Sequence, residues 1–257
     1  MKYWIVCLLL VLPLTASFAE DATKPDAQFK GEFIYLRDYG TDDIGYLSLP
    51  QEPPTAGIIL VPDGHGIDSW LKITADVIAQ KGYIVLVLDL YNGNANTEEK
   101  QVERMENDLM EKGVLDAMKT STVFFQQSPR FKMDKVFVVG PGSMEHYLLA
   151  FAAQKKLSLN GLVVVNPSKP PVEDELKRVR YPVLFQLGEG SPVTSGLDAM
   201  VKNLGYQDLC EIKSVAKLDP KSRRLDEAQW QQVSDFMQKN STEERKKGLL
   251  QSLKDIF

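Results

Sequence analysis

Cysteine and histidine are both scarce in this sequence, with two of each in 257 residues. Cys7 lies in the first apolar run, so removal of that run leaves Cys210 alone and excludes an intramolecular disulfide. No His, Cys and Asp residues cluster at the spacing of metal ligands, so we expect neither a metal nor another cofactor. The net charge of −5 is small and indicates neither nucleic acid nor an anionic membrane surface as a partner.

An apolar run long enough to cross a bilayer is also missing. Lys2 is followed by an apolar stretch from Trp4 to Leu14. It has about 11 residues, against the roughly 20 that a membrane helix needs. Small residues end the segment at Ala19, and polar sequence begins at Glu20. This order predicts a secretory signal peptide over residues 1–19, cut after Ala19, and export to a periplasm or to the outside.

The remaining sequence has the composition of a globular protein without repeats or linkers. We expect a flexible polar lead over residues 20–30, one domain over 31–240, and a helical tail over 241–257. Within the domain, Gly31–Arg37 and Ile44–Leu49 are strand-like runs separated by turn residues. This arrangement predicts an antiparallel hairpin.

Beyond the hairpin, continuous apolar runs alternate with helical stretches. Strands that are apolar on both faces need helices on both faces, and this alternation implies parallel neighbours. The sequence therefore predicts an α/β fold: a doubly wound, mostly parallel sheet with the N-terminal hairpin at one edge. The predicted strands are Gly57–Val61, Tyr83–Leu88, Val136–Val139, Leu162–Val165, Val183–Leu187 and Cys210–Lys217. The first predicted helix ends at Lys81, and the other three span Thr97–Gln126, Ser143–Lys155 and Leu225–Lys239.

Three phrases in this region carry a resemblance to a known family. The first phrase, Asp89-Leu90-Tyr91 with Gly93, ends the second buried strand. The second phrase contains the third strand and reads VFVVGPGSMEHYLLAFAAQ. The third phrase contains the fifth strand and reads YPVLFQLGEGSPV. In these phrases the chain resembles the dienelactone hydrolase family of α/β-hydrolases. The resemblance implies an α/β-hydrolase fold and three positions for a nucleophile, an acid and a base.

The residues at these three positions differ from the family pattern G-x-C-x-G-G and its partners. Gly142 falls in the nucleophile position, and Met144 and Glu145 replace two glycines that the sharp elbow turn requires. Ser191 falls in the acid position, and the loop between 211 and 219 has no histidine for the base. A Ser or Cys nucleophile needs both partners. We therefore expect an exported, catalytically inactive member of the family that binds a small molecule or a protein.

Two alternatives remain open. The first is a weak carboxyl-ester hydrolase that uses Ser143 with His146 or His65. His65 lies at the carboxyl edge of the predicted sheet, where ligands bind in open α/β folds. If the histidines have no functional role, we expect His65 to be a loop histidine with satisfied hydrogen bonds and His146 to be buried against the sheet. The second is an interaction module that works through the tail. The candidate ligand-binding residues are Gly64, His65, Gly142, Ser143 and Met144.

Overall fold

The computed structural model of the protein describes residues 29–39, 44–216 and 227–242. Within these residues, eight strands form one sheet with helices on both faces. The strands are β1 (Glu32–Tyr35), β2 (Ile44–Ser48), β3 (Ala56–Leu60), β4 (Tyr83–Leu88), β5 (Val136–Pro141), β6 (Gly161–Val165), β7 (Val183–Gly188) and β8 (Cys210–Val215). The helices are α1 (Ser69–Gln80), α2 (Glu99–Asn107), α3 (Glu111–Gln127), α4 (Glu145–Ala152), α5 (Glu173–Leu176), α6 (Val193–Asn203) and α7 (Glu227–Lys239).

The strands are ordered β1-β2-β4-β3-β5-β6-β7-β8 across the sheet. The pairs β1–β2 and β2–β4 are antiparallel, and the other neighbours are parallel. This confirms the predicted mostly parallel sheet with an antiparallel hairpin at one edge. Strand β4 lies on one side of β3 and β5 lies on the other, so the strand order changes direction at β3. The carboxyl ends of β3 and β5 therefore flank a switch point, where open α/β sheets form a crevice.

The apolar strands are buried on both faces because each face has its own helical layer. Ile78 of α1 and Trp230 of α7 pack on one face. Met118 of α3, Leu148 of α4 and Leu197 of α6 pack on the other, each with no exposed surface. Burial of a large aliphatic side chain contributes about 1.5–3 kcal/mol, so these two layers supply the main stabilisation of the described residues, in which the one cysteine, Cys210, is free.

The prediction of one long helix over Thr97–Gln126 is wrong. The chain forms α2 and α3, and the break falls where Met110 adopts an extended conformation with φ −92 and ψ 125. No glycine or proline marks this break in the sequence. The two helices separate because α3 buries Val114 and Phe125 against the sheet, whereas α2 has no buried residue and covers a loop instead.

Smaller differences concern the second half of the domain. The helix predicted from Ser143 begins with a 3-10 turn at Gly142–Met144, and α5 and α6 were not predicted. The helix predicted over Leu225–Lys239 is confirmed as α7. The predicted signal peptide, most of the polar lead and most of the tail over 241–257 lie outside the described residues. Among the described residues, no helix is both long and apolar enough to span a membrane.

Candidate functional site

A cavity of about 570 Å³ opens at the carboxyl ends of β3, β5, β6 and β7. Ligand pockets in proteins typically enclose about 300–1,000 Å³. One side of α1, with Trp70 and Leu71, forms a wall, and Gly142 and Ser143 lie at the floor. Ser191 also lines the cavity. The cavity therefore occupies the crevice at the switch point and includes Gly142, the residue predicted to fall in the family's nucleophile position.

Gly142 has no space for a side chain. A Cβ atom placed on Gly142 would lie 2.3 Å from the Cα atom and 2.5 Å from the nitrogen of Pro167. It would also lie 2.6 Å from the carbonyl oxygen of Asn166. All three atoms belong to the backbone, so they cannot move aside as a flexible side chain can. The loop after β6 thus closes the space that a nucleophilic side chain would occupy.

The conformation of Asn166 brings this loop over Gly142. Asn166 has φ 55, a left-handed conformation that asparagine adopts more readily than most residues. Its backbone N–H donates a hydrogen bond of 2.8 Å to the carbonyl oxygen of Gln186 on β7, which fixes the turn to the sheet. The strand-to-helix turn beneath is relaxed: Pro141 is extended at φ −72 and ψ 159, and no residue over 140–145 has a positive φ. The strained elbow that holds a hydrolase nucleophile is absent from this turn.

Ser143 is exposed, and its hydroxyl is held by a carboxylate from α2. Its Oγ donates a hydrogen bond of 2.9 Å to Oε1 of Glu106. The backbone N–H of Gly64 donates to the same oxygen, also at 2.9 Å. Glu106 therefore joins the turn after β5 to the loop after β3. In α/β-hydrolases an N–H of this loop forms part of the oxyanion hole, and here the Gly64 N–H is already bonded.

Helix α2 packs directly on that loop. A Cβ atom on Gly64 would lie 2.3 Å from the carbonyl oxygen of Val102, so only glycine permits this approach. Tyr91 lies in the same region, with its hydroxyl buried and without a hydrogen-bond partner. Burial raises the pKa of Tyr91, and the nearby carboxylates of Glu106 and Asp63 raise it further. The Tyr91 phenol therefore stays protonated and can donate a hydrogen bond.

Neither histidine is bonded to Ser143. Nδ1 of His65 lies 3.0 Å from Oδ1 of Asp63, as expected for a loop histidine with satisfied hydrogen bonds. His146 is about half exposed, so the expectation that it is buried against the sheet is wrong. Its Nδ1 lies 2.5 Å from Glu175 and its Nε2 lies 3.2 Å from Glu111. Burial alone would lower the pKa of His146, but these two hydrogen bonds raise it overall.

Other predicted site residues lie around the cavity or beneath it. Gly142 and Ser143 line the cavity, whereas Gly64 and His65 do not. Met144 is fully buried in the core, so its side chain is unavailable to a ligand, because the 3-10 turn directs it towards the layer of α3 and α4. Ser191, at the predicted acid position, accepts a hydrogen bond of 3.3 Å from the N–H of Val193 at the start of α6.

Glu145, predicted to fall in the second of the two glycine positions, is buried at 5 % exposure. Burial raises the pKa of its carboxyl to about 7; the charge of Glu175 adds to this shift and that of Lys169 opposes it. Its Oε1 atom is buried without a partner. Among the described residues, no three His, Cys, Asp or Glu side chains converge in a geometry suited to a metal ion.

Comparison with known proteins identifies the family. The model of the dienelactone hydrolase family matches residues 44–213, so the chain belongs to this family. A Bradyrhizobium protein described as "Probable 2-oxo-3-(5-oxofuran-2-ylidene)propanoate lactonase" is 22 % identical over 170 residues, which cover 60 % of this chain and 68 % of that protein.

Solved structures agree on the fold. A candidate dienelactone hydrolase from Klebsiella pneumoniae has a TM-score of 0.64 at 14 % identity, covering 80 % of this chain and 97 % of the other. The α/β hydrolase GrgF from Penicillium sp. has a TM-score of 0.60 at 12 % identity, covering 82 % and 98 %. The chain therefore has the α/β-hydrolase fold that its sequence resemblance implied.

The contact between Glu106 and the two loops could not be found from the sequence. Glu106 lies 42 residues from Gly64 and 37 from Ser143, in a stretch that reads as an ordinary charged helix. The place of Pro167 depends on the path of the loop after β6. A faint signal exists in Asn166-Pro167, since this dipeptide favours a turn directly after a buried strand.

Proposed function

We propose that this protein is an exported member of the dienelactone hydrolase family that binds a small organic ligand without hydrolysing it. The ligand would occupy the cavity between Trp70 and Ser191. The observation that carries the proposal is the combination of an open cavity with a closed nucleophile position. A scaffold with no binding role would have no need to keep the cavity.

Four features support the absence of hydrolysis. Gly142 offers no attacking group, Ser191 offers no carboxylate, and the sequence after His146 contains no histidine. The Gly64 N–H, which could stabilise an oxyanion, is bonded to Glu106. Removal of one oxyanion-hole donor alone typically lowers kcat by about 10²–10³. Any residual rate of ester hydrolysis would therefore have to arise without the family's nucleophile, base and acid, and without a free N–H donor in the loop after β3.

The test combines a rate measurement with a binding measurement on the same preparation. p-Nitrophenyl esters of short acids should be hydrolysed no faster by the protein than by buffer. Small aromatic ligands should change the fluorescence of Trp70, which is 41 % exposed on the cavity wall, and Trp70→Phe should remove this response. The buried Trp230 remains in that variant and reports whether the fold is intact. Turnover of an ester, or no ligand response at all, would contradict the proposal.

A second candidate function is weak carboxyl-ester hydrolysis by Ser143. The observation in its favour is the 2.9 Å hydrogen bond from Ser143 Oγ to Glu106, because a carboxylate can accept the proton of an attacking hydroxyl. His65 and His146, the bases that the sequence predicts for this alternative, are each paired with other carboxylates. If esterase activity is found and disappears in both Ser143→Ala and Glu106→Gln, this candidate replaces the first.

Export is supported by the order of charge, apolar run and small residues over 1–19. Expression of the full chain in a Gram-negative host, followed by cell fractionation, tests it. The intact mass of the protein should match a chain that begins at Glu20. A chain that keeps Met1 and stays in the cytoplasmic fraction would contradict export.

A further inference from the structure

His146 lies between carboxylates from two helices. Its Nδ1 lies 2.5 Å from Oε1 of Glu175 in α5, and its Nε2 lies 3.2 Å from Oε2 of Glu111 at the start of α3. An ionised carboxylate only accepts hydrogen bonds, so both ring nitrogens must carry a proton to bond both partners. The imidazolium has two N–H groups, whereas the neutral ring has one. The contact from Glu111 through His146 to Glu175 (the His146 bridge) is therefore complete when the ring is protonated.

The groups next to the His146 bridge act in the same direction or stay neutral. Glu145 precedes His146 in α4, and burial raises the pKa of its carboxyl to about 7; the charge of Glu175 adds to this shift and that of Lys169 opposes it. Above that pH the ionised Glu145 repels Glu175. The ring of Tyr147 packs edge-on against His146 at 5.4 Å between centroids, and burial raises the pKa of its hydroxyl, so it stays protonated. A rising pH therefore weakens the hold on α5 through both His146 and Glu145.

Helix α5 depends on its neighbours for its position. It has four residues, three of them acidic, and an isolated helix of one turn is unstable in water. Leu176 is fully buried in the core and provides a contact that does not change with pH. Glu175 provides the contact with His146, which does change with pH. Loss of the His146 bridge should therefore loosen α5 without detaching it.

One segment of the chain carries both α5 and a part of the cavity wall. Residues 166–168 follow β6 and line the cavity, and α5 begins soon after them at Glu173. The residues between them include Pro170 and Pro171, whose rings fix φ and leave this stretch few conformations. A displacement of α5 is therefore passed on to the cavity wall.

We propose that His146 is a positioning residue for the cavity. When protonated, it holds α5 to α3 and keeps residues 166–168 in place on the cavity wall. When it loses its proton, α5 loosens and the ligand binds more weakly. The inference rests on the proposed ligand-binding function and adds a regulation of the same site by pH.

The direction of this regulation follows from the pKa of His146. Burial lowers this pKa, but the hydrogen bonds to Glu175 and Glu111 raise it overall. The His146 bridge is therefore complete below pH 6.5 and is lost as the pH rises through the raised pKa. Ligand binding should weaken towards alkaline pH.

Hydrogen exchange measures the hold on α5 in the absence of any ligand. Protection factors, corrected for the intrinsic exchange rate at each pH, are compared at pH 6 and pH 8.5 for a peptide that covers α5. We expect protection there to fall by about two- to fivefold, because ion pairs between partly exposed side chains contribute little. A peptide that covers the buried strand β4 is the reference for a general change in stability.

Variants assign the fall in protection to the His146 bridge. His146→Gln and Glu175→Gln should each reduce the fall, because each removes the charged hydrogen bond that holds α5. Glu173→Gln removes a neighbouring carboxylate of α5 that pairs with Lys177, and should leave the fall unchanged. Glu145→Gln keeps the contribution of His146, so the fall in this variant should exceed that in His146→Gln.

The alcohol 3-phenylpropanol tests the coupling to the cavity, because its charge does not change between the two pH values. Calorimetry should show weaker binding to the natural protein at pH 8.5 than at pH 6, by at most about the same two- to fivefold factor. In His146→Gln this difference should shrink, and in Glu173→Gln it should persist.

The outcomes separate this inference from the proposed function. No fall in protection, or a fall as large in His146→Gln as in the natural protein, would overturn the role of His146 and leave ligand binding in place. Equal affinity for 3-phenylpropanol at both pH values would overturn the regulation of the cavity in the same way. If 3-phenylpropanol binds at neither pH, the ligand-binding function fails and the regulation falls with it.

Discussion

The backbone of Pro167 occupies the space beside Gly142 in which a side chain would have to stand, with the Pro167 Cα atom 2.3 Å from a Cβ placed there. The position that the sequence resemblance predicts for the nucleophile is therefore closed to a side chain by a loop. A single substitution at Gly142 cannot supply the missing nucleophilic side chain, because the loop after β6 leaves space only for glycine there.

Gly142→Cys should not create an esterase, and Gly142→Ala should lower the free energy of unfolding. Overpacking at a closed position typically costs about 1–3 kcal/mol. Urea unfolding measures the loss for Gly142→Ala, and p-nitrophenyl acetate tests Gly142→Cys for turnover. Gly113→Ala is the matched control, because a Cβ at Gly113 in α3 meets no atom within 4 Å and should stabilise the helix by about 0.5–1 kcal/mol. A Gly142→Cys protein that folds normally and turns over the ester would contradict this account.

Glu106→Ala should loosen the contact between α2 and the two loops at the cavity floor. It removes the acceptor for both the Gly64 N–H and the Ser143 hydroxyl. Because hydrogen bonds to charged groups contribute about 1.5–3 kcal/mol and Glu106 is partly exposed, we expect a loss of about 1–2 kcal/mol. Urea unfolding measures it, and hydrogen exchange at Gly64 should become faster. Glu103→Ala, on the exposed side of the same helix, is the control, and an equal loss there would argue against a specific role for Glu106.

The sequence predicts the parts of this fold that depend on local patterns. Apolar runs such as Tyr83–Leu88 match their strands because burial on both faces leaves a continuous signal. The substitutions at Gly142 and Ser191 are likewise visible without a structure. What the sequence does not predict depends on contacts between distant residues: the break at Met110, and the approach of Pro167 to Gly142. No glycine or proline occurs over 108–110, and the chain turns there because α2 packs on the loop at Gly64 while α3 packs on the sheet.

Asp76 should be essential for attaching the N-terminal hairpin. Its buried carboxylate accepts hydrogen bonds from the Tyr46 and Ser48 hydroxyls of β2 and from the backbone N–H of Lys30 at 2.8 Å. Asp76→Ala would leave these donors without an acceptor, at a cost of roughly 3 kcal/mol. Urea unfolding measures the loss. Gln80→Ala, at an exposed position of the same helix, should change stability by less than about 0.5 kcal/mol. A small effect of Asp76→Ala would show that the hairpin is held mainly by its β2–β4 pairing.

Glu145 should make the protein less stable as the pH rises through the neutral range. Burial raises the pKa of its carboxyl from 4.5 to about 7, so the folded state binds this proton more tightly than the unfolded state does. The resulting stabilisation is complete below about pH 4.5 and is lost as the pH rises to about 7. His146 acts in the same direction, since its raised pKa gives a stabilisation that is lost as the pH rises above 6.5.

Glu145→Gln separates the two groups because it removes only the buried carboxyl. The variant should be more stable than the natural protein at pH 8, by on the order of 2 kcal/mol, and close to it at pH 4.5. Urea unfolding at both pH values measures the difference, and Glu52→Gln, an exposed carboxylate, should show none. The His146 contribution should persist in Glu145→Gln as a smaller decline above pH 6.5. An equal change in stability at pH 4.5 and pH 8 would mean that Glu145 acts through packing and that its charge has no part in the effect.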